Sequence, residues 1–192
     1  MTNFPHRMLP DFTNINYLQH GNALQQAAFY VLKQSKILYH LEPFKPVLCG
    51  TLPINIFIEG SSDLDIICEV QDFDNLNEVL EANFKTFPGF SITIKPVHST
   101  PSLICGFHVD NFLIEVFAQP IPVNQQAAYK HMLIEHYLLN THGEQFREKI
   151  VELKKQGYKT EPAFAKLLNL KGEPYSALLE LANEYLKQQL AG

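Results

Sequence analysis

The stretch Gly60-Ser61-Ser62-Asp63-Leu64-Asp65-Ile66-Ile67 (GSSDLDII) sets two carboxylates, two residues apart, at the mouth of an apolar run. Residues two apart in an extended strand project from one face, so Asp63 and Asp65 point together while Leu64 and Ile66 point to the other side. A third acid, Glu115, lies within Phe112-Leu113-Ile114-Glu115-Val116-Phe117-Ala118, flanked by three apolar residues on each side. Burying an unpaired carboxylate costs several kcal/mol, so such a charge calls for a cation, a partner or a wet cleft. Neither strand contains a basic residue that could pair with it. Three clustered acids repel one another unless a divalent ion holds them, and oxygen-only ligation suits Mg²⁺ or Mn²⁺.

The dipeptide Asp110-Asn111 suits a two-residue hairpin turn. That turn pairs Val109 with Phe112, His108 with Leu113 and Gly106 with Glu115. Gly106 then leaves room opposite the acid, and His108 shares its face diagonally. Read alone, Glu115 could instead be an edge-strand residue facing water, Asp63 a turn residue and Asp65 a solvent-facing strand position.

Outward from these strands the pattern is of mixed α and β type. Apolar positions from Ile15 to Leu41 recur at helical spacing, interrupted at Gly21, and predict one or two opening helices. Val47 to Gly50 reads as a short strand. Ile54, Ile56 and Ile58 alternate with other residues, so Pro53 to Glu59 reads as extended. Leu64 to Val70 is a strand, Asp72 to Ala82 an acid-capped helix, and Ile92 to Val97, Leu103 to Val109 and Phe112 to Ala118 further strands. Beyond Pro120 and Pro122 no strand is expected. Asn124 caps a helix to about Asn140, and others cover Glu144 to Gln156, Thr160 to Leu170 and Pro174 to Leu190. The expected class is α+β: a mixed β-sheet flanked by helices with a helical C-terminal part. Residues 1–120 form the α/β core with its N-terminal helix, and 121–192 a helical subdomain.

The chain has 192 residues, 46% of them hydrophobic, which suffices for a sizeable core. A net charge of −5 disfavours a phosphate-tracking surface, so long DNA or RNA is not the expected partner. Cys49, Cys68 and Cys105 sit singly in apolar runs and read as small core residues. The N-terminal Met1 to Phe12 has no apolar leader and no segment reaches a membrane span, so the cytoplasm is the expected location.

Upstream of the acids, Gly50-Thr51 closes a strand thirteen positions before Asp63. Glycine lets a backbone approach a phosphate, and exposed N–H groups and the Thr51 hydroxyl can bind its oxygens. Cys49-Gly50-Thr51, Asp63-Leu64-Asp65 and Glu115 together resemble the polymerase-beta-like nucleotidyltransferase superfamily, over roughly Val47 to Ala118. The segments GTLPINIFIEGSSDLDIICEV, QQAAYKHMLIEHYLL and KTEPAFAKLLNLKGEPYSALLEL give the whole chain a closer likeness to an uncharacterised bacterial domain-of-unknown-function family within it. The resemblance implies a nucleotidyltransferase-like fold and a nucleoside triphosphate as substrate. It also implies a small-molecule or protein hydroxyl as acceptor. Asp63, Asp65 and Glu115 become catalytic metal ligands for two Mg²⁺ or Mn²⁺ ions, with Gly50, Thr51, Ser61 and Ser62 at the substrate. In the superfamily the Gly-Ser element commonly leads into a helix, whereas an extended segment is expected here after Thr51. The same fold also admits a non-catalytic nucleotide- or metal-binding module that docks a partner, and a hydrolase with water as acceptor.

Other polar residues carry less. His131 and Glu135 are four apart on the helix after Asn124, and with Gln125, Tyr129 and Lys130 they read as ordinary helix surface in preference to a pocket wall. Lys154, Lys155 and Lys159 form a basic run near a helix end, where the dipole accommodates them without a ligand.

Overall fold

A computed structural model describes residues 11–190. The reading of the N-terminal leader falls largely on residues 1–10 and so lies outside the described part. Among the described residues five strands form one mixed sheet in the order β1-β2-β5-β4-β3. The strands are β1 (Val47–Cys49), β2 (Leu64–Glu69), β3 (Ser91–Val97), β4 (Thr100–Val109) and β5 (Phe112–Gln119). The helices are α1 (Ala23–Gln34), α2 (Ile37–His40), α3 (Phe73–Phe84), α4 (Ala127–His142), α5 (Glu144–Lys155), α6 (Thr160–Leu168) and α7 (Pro174–Leu190). The β2–β5 pair is parallel and the other three are antiparallel. The class is thus α+β.

Local chemistry accounts for most of these elements. Asp72 caps α3 by accepting from the backbone N–H groups of Asp74 and Asn75, and Leu76, Leu80 and Phe84 then fall on one buried face. The β4–β5 hairpin turns at Asp110, whose positive φ of 52° an aspartate tolerates. Its register pairs Gly106 with Glu115 and His108 with Leu113.

Each sheet face buries its own apolar cluster. One joins Leu64, Ile66 and Val116 to α1, α2 and α3. The other joins Val47, Cys49 and Ile67 to α4, α5, α6 and α7. Because β2 alternates, the face carrying Asp65 is the face roofed by the C-terminal helices. Cys49, Cys68 and Cys105 are all buried. No helix of the described residues is long and apolar enough to cross a membrane.

Two expectations change, and one alternative falls. Pro53 to Glu59 is not extended: residues 51–55 form a turn, with Ile56 N–H donating to the Thr51 carbonyl at 3.0 Å, and an irregular loop follows. The alternating isoleucines are partly genuine burial, since Ile54 and Ile56 are 3% and 1% exposed, but they dip into the helical cluster. Asn124 does not cap α4. It sits in a single 3₁₀ turn, Val123–Gln125, and Gln126 precedes the helix with its side-chain amide donating to the Cys68 and Ile121 carbonyls at 2.8 and 3.0 Å. The alternative that set Glu115 on an edge strand facing water falls, because β5 is the central strand.

Candidate active site

Register places the acids. Asp65 pairs with Glu115 across the parallel β2–β5 ladder, with Cys49 beyond Asp65 and Gly106 beyond Glu115. Neighbouring strands lie about 4.8 Å apart, so the two carboxylates leave the same face side by side. Asp63 immediately precedes β2. Gly50 follows β1 with a φ of +72°, and a β-carbon there would collide with the Asp65 carboxylate. The glycine therefore does two things: it supplies the left-handed turn and it leaves the space in which Asp65 lies. Next to it, the Thr51 hydroxyl is buried without a hydrogen-bond partner.

Two adjoining cavities meet at these residues. The smaller, about 250 Å³, lies between Thr51, Ser61, Ser62 and Asp63 on one side and Lys154 and Lys159 on the other. The larger, about 450 Å³, is walled by Asp65 and Glu115 from the sheet and by His131, Glu135, Glu161 and Tyr175 from the helices. Thr51, Asp65 and Thr160 line both. Ser62 also supports its own turn, accepting at 3.1 Å from the Ile58 N–H, while the Ser61 and Ser62 N–H groups both donate to the Ile58 carbonyl. His108 shares the acid-bearing side by register but is exposed, with its ring against Gly89.

The acids carry a strained charge. Burial, then the charges of Glu115 and Asp63, push Asp65 up to about 7, and Lys154 opposes the rise. Glu115 is raised by burial and by Asp63, with Lys159 and Lys95 opposing. Burial lowers Lys154 to about 8 against the pull of Glu135, Asp65 and Glu161. Its ammonium donates to the Ile56 carbonyl at 2.9 Å, and Arg147 donates to the Ile54 and Asn55 carbonyls at 2.5 and 3.3 Å. These two cations therefore supply the loop with donors that a ladder would otherwise provide.

Among the described residues no three His, Cys, Asp or Glu side chains form a ready-made metal-binding group. The donor chemistry nevertheless suits a hard cation. Asp63, Asp65 and Glu115 offer oxygen only, and their mutual repulsion is what a divalent ion would relieve.

Sequence reasoning placed the helical contributions wrongly. Lys154 and Lys155 do close α5, and Lys155 and Lys159 are exposed, but Lys154 and Lys159 also line the smaller cavity, which the helix-end reading missed. His131 and Glu135 are not helix surface: they are 7% and 3% exposed and line the larger cavity. A histidine and an acid four apart, flanking Met132-Leu133-Ile134, were the available signal. Glu161 and Tyr175 gave none.

Residues 30–181 match the model of a family described as a domain of unknown function, DUF4269. The chain belongs to this family. No curated protein matches it. Among solved structures it is similar to the GLD-2/RNP-8 complex, at 15% identity over 82% of this chain and 57% of that one, with a TM-score of 0.48. It is also similar to the Cid1 poly(U) polymerase in its MgGTP-bound form, at 14% identity over 68% of this chain and 40% of that one, with a TM-score of 0.47. A third is mtPAP in complex with UTP, at 11% identity over 94% of this chain and 46% of that one, with a TM-score of 0.44. The DUF4269 chain thus spans between two fifths and three fifths of those chains. These are likenesses of chain architecture.

Proposed function

We propose that this DUF4269 protein is a metal-dependent nucleotidyltransferase that moves a nucleoside monophosphate from a triphosphate to a hydroxyl of a small molecule or protein. The observation that carries this reading is the Asp65–Glu115 cross-strand pair, with Asp63 beside it, at the junction of two cavities. Group transfer needs a donor site and an acceptor site meeting at the reacting atom, whereas hydrolysis needs one site and water. The smaller cavity suits polyphosphate: Lys154 and Lys159 supply positive charge and the free Thr51 hydroxyl a donor. The larger suits the acceptor. Its acidic lining opposes a phosphodiester chain, as does the net charge of −5.

A divalent ion such as Mg²⁺ or Mn²⁺ held by Asp63, Asp65 and Glu115 would neutralise phosphate charge and lower the pKa of the acceptor hydroxyl. In this reading the acceptor oxygen attacks the α-phosphorus, the bond to pyrophosphate breaks, and Glu115 takes the hydroxyl proton. Lys154 and Lys159 hold the leaving phosphates in the smaller cavity. Several members of the likeness act on RNA by name, and the same chemistry would serve there with a different acceptor.

The test is calorimetric binding of a non-hydrolysable nucleoside triphosphate with Mn²⁺ to the wild type, Asp65→Asn and Glu115→Gln, followed by transfer from a labelled nucleotide. Binding to the wild type alone, with label transferred, is the expected result. Unchanged binding in both variants ends the proposal, and binding without any product leaves a non-catalytic nucleotide-binding module in its place.

A further inference from the structure

Glu135 is the acid that nucleotidyl transfer does not use. It lies on α4, is 3% exposed, and lines the larger cavity with its Oε1 buried and without a hydrogen-bond partner. Its neighbour Glu161 is committed elsewhere. His131 Nε2 lies 3.1 Å from the Tyr175 carbonyl, which can only accept, so that nitrogen carries a proton. His131 Nδ1 then faces the Glu161 carboxylate at 3.3 Å, a contact between α4 and α6. Burial, then the nearby Glu161 charge, raises Glu135 well above the usual carboxylate range; Lys154 opposes the rise, and its ammonium donates to the Ile56 carbonyl. A buried acceptor left unpaired is destabilising, and more so when charged.

We infer that Glu135 is the recognition residue for a small hydroxylated amine, whose ammonium group pairs with the Glu135 carboxylate while its hydroxyl lies towards Asp65 and Glu115. The lining of the cavity selects a cation: the carboxyl groups of Asp65, Glu115, Glu135 and Glu161 face it against the single imidazole of His131, and an ammonium group beside Glu135 would stabilise the carboxylate that burial disfavours. Its size selects a small molecule. A space of about 450 Å³ walled by α4, α6, α7 and the sheet falls in the range of small-ligand pockets. The identity of this ligand as the transfer acceptor rests on the nucleotidyl-transfer reading, whereas its binding does not.

Met132 lines the same cavity and is one of three methionines in the chain, so its ¹³C-labelled methyl group reports occupancy. The probes are 1,3-diamino-2-propanol and glycerol, which share a carbon skeleton and differ in replacing two ammonium groups by hydroxyls. The diamine should shift the Met132 methyl resonance saturably, and glycerol at ten times the concentration should not. Glu135→Gln, which keeps shape and removes charge, should weaken diamine binding at least tenfold. Glu135→Asp, which keeps charge and retracts it, should give an intermediate loss, with circular dichroism confirming both folds. Equal responses to diamine and glycerol, or unchanged diamine affinity in Glu135→Gln, would overturn the inference. Triphosphate binding measured on the same wild-type samples separates the two readings. Diamine bound without any nucleotide affinity refutes nucleotidyl transfer alone, and nucleotide bound with Met132 indifferent to diamine refutes the amine site alone.

Discussion

Asp65→Asn should make the metal-free protein more stable. The rise of Asp65 from the ordinary carboxylate value of 3.8 to about 7 means that the fold tolerates the protonated acid better than the charged one. Each tenfold change in ionisation equilibrium is worth about 1.4 kcal/mol, so the rise corresponds to a ceiling of about 4 kcal/mol. The sign follows from linkage: the acid is raised in the folded state, so its favourable contribution is complete below about pH 4. It is lost as pH climbs through 7. Asparagine keeps the shape and does not titrate. The variant should therefore match the wild type near pH 4 and outrun it progressively to pH 8, where the gap levels off. For a chain of this size 1 kcal/mol moves Tm by about 2–4 °C, which sets the ceiling at roughly 8–16 °C. Scanning calorimetry in EDTA from pH 4 to 9 measures it. Saturating Mn²⁺ should then raise the wild-type Tm and narrow the gap while leaving the variant unmoved. A variant no more stable than wild type at pH 8, or a gap that does not vary with pH, would refute the electrostatic account of the acidic face.

Triphosphate affinity in the presence of Mn²⁺ should peak between pH 7 and 8: it falls below 7 as Asp65, raised to about 7, takes up a proton, and above 8 as Lys154, lowered to about 8 by burial, gives up its own. Calorimetric titration checks this, and Lys154→Arg, whose guanidinium stays charged, should remove the decline on the alkaline side. Gly50→Ala and Gly60→Ala share a left-handed backbone at φ +72° and +76°, but only the first would collide with a carboxylate, since nothing lies within 4 Å of the second. Urea melts should put Gly60→Ala near the 1–2 kcal/mol backbone cost and Gly50→Ala clearly beyond it. Burial pushes the Cys68 and Cys105 thiols up to about 12 and raises Cys49 as well, so Ellman's reagent at pH 8 should find no fast-reacting thiol in the native protein and three after denaturation.

Sequence made legible what local chemistry decides. The Asp110-Asn111 turn fixed the pairing of Gly106 with Glu115, and Asp72 marked the start of α3, because turn and cap residues act on their own neighbours. The segment after Gly50 misled for the opposite reason. Its alternating isoleucines are buried by helices that follow much later, and the Ile54 carbonyl is satisfied by Arg147, 93 residues away. Period-two burial implies a strand only when a neighbouring strand supplies the hydrogen bonds. Lys154, His131 and Glu135 were visible as residue types, but their convergence on one cleft depends on how α4 and α5 cross the sheet.

The separation of the two central acids is a property of peptide geometry. Asp65 and Glu115 occupy matched rungs of a parallel ladder, so main-chain hydrogen bonding sets their spacing like divisions on a ruler. Substitutions in the helical roof can alter which molecules enter and how strongly the carboxylates hold their protons, yet they leave that ruler unmarked. Ligand preference and carboxylate spacing can accordingly be engineered as independent variables in this scaffold.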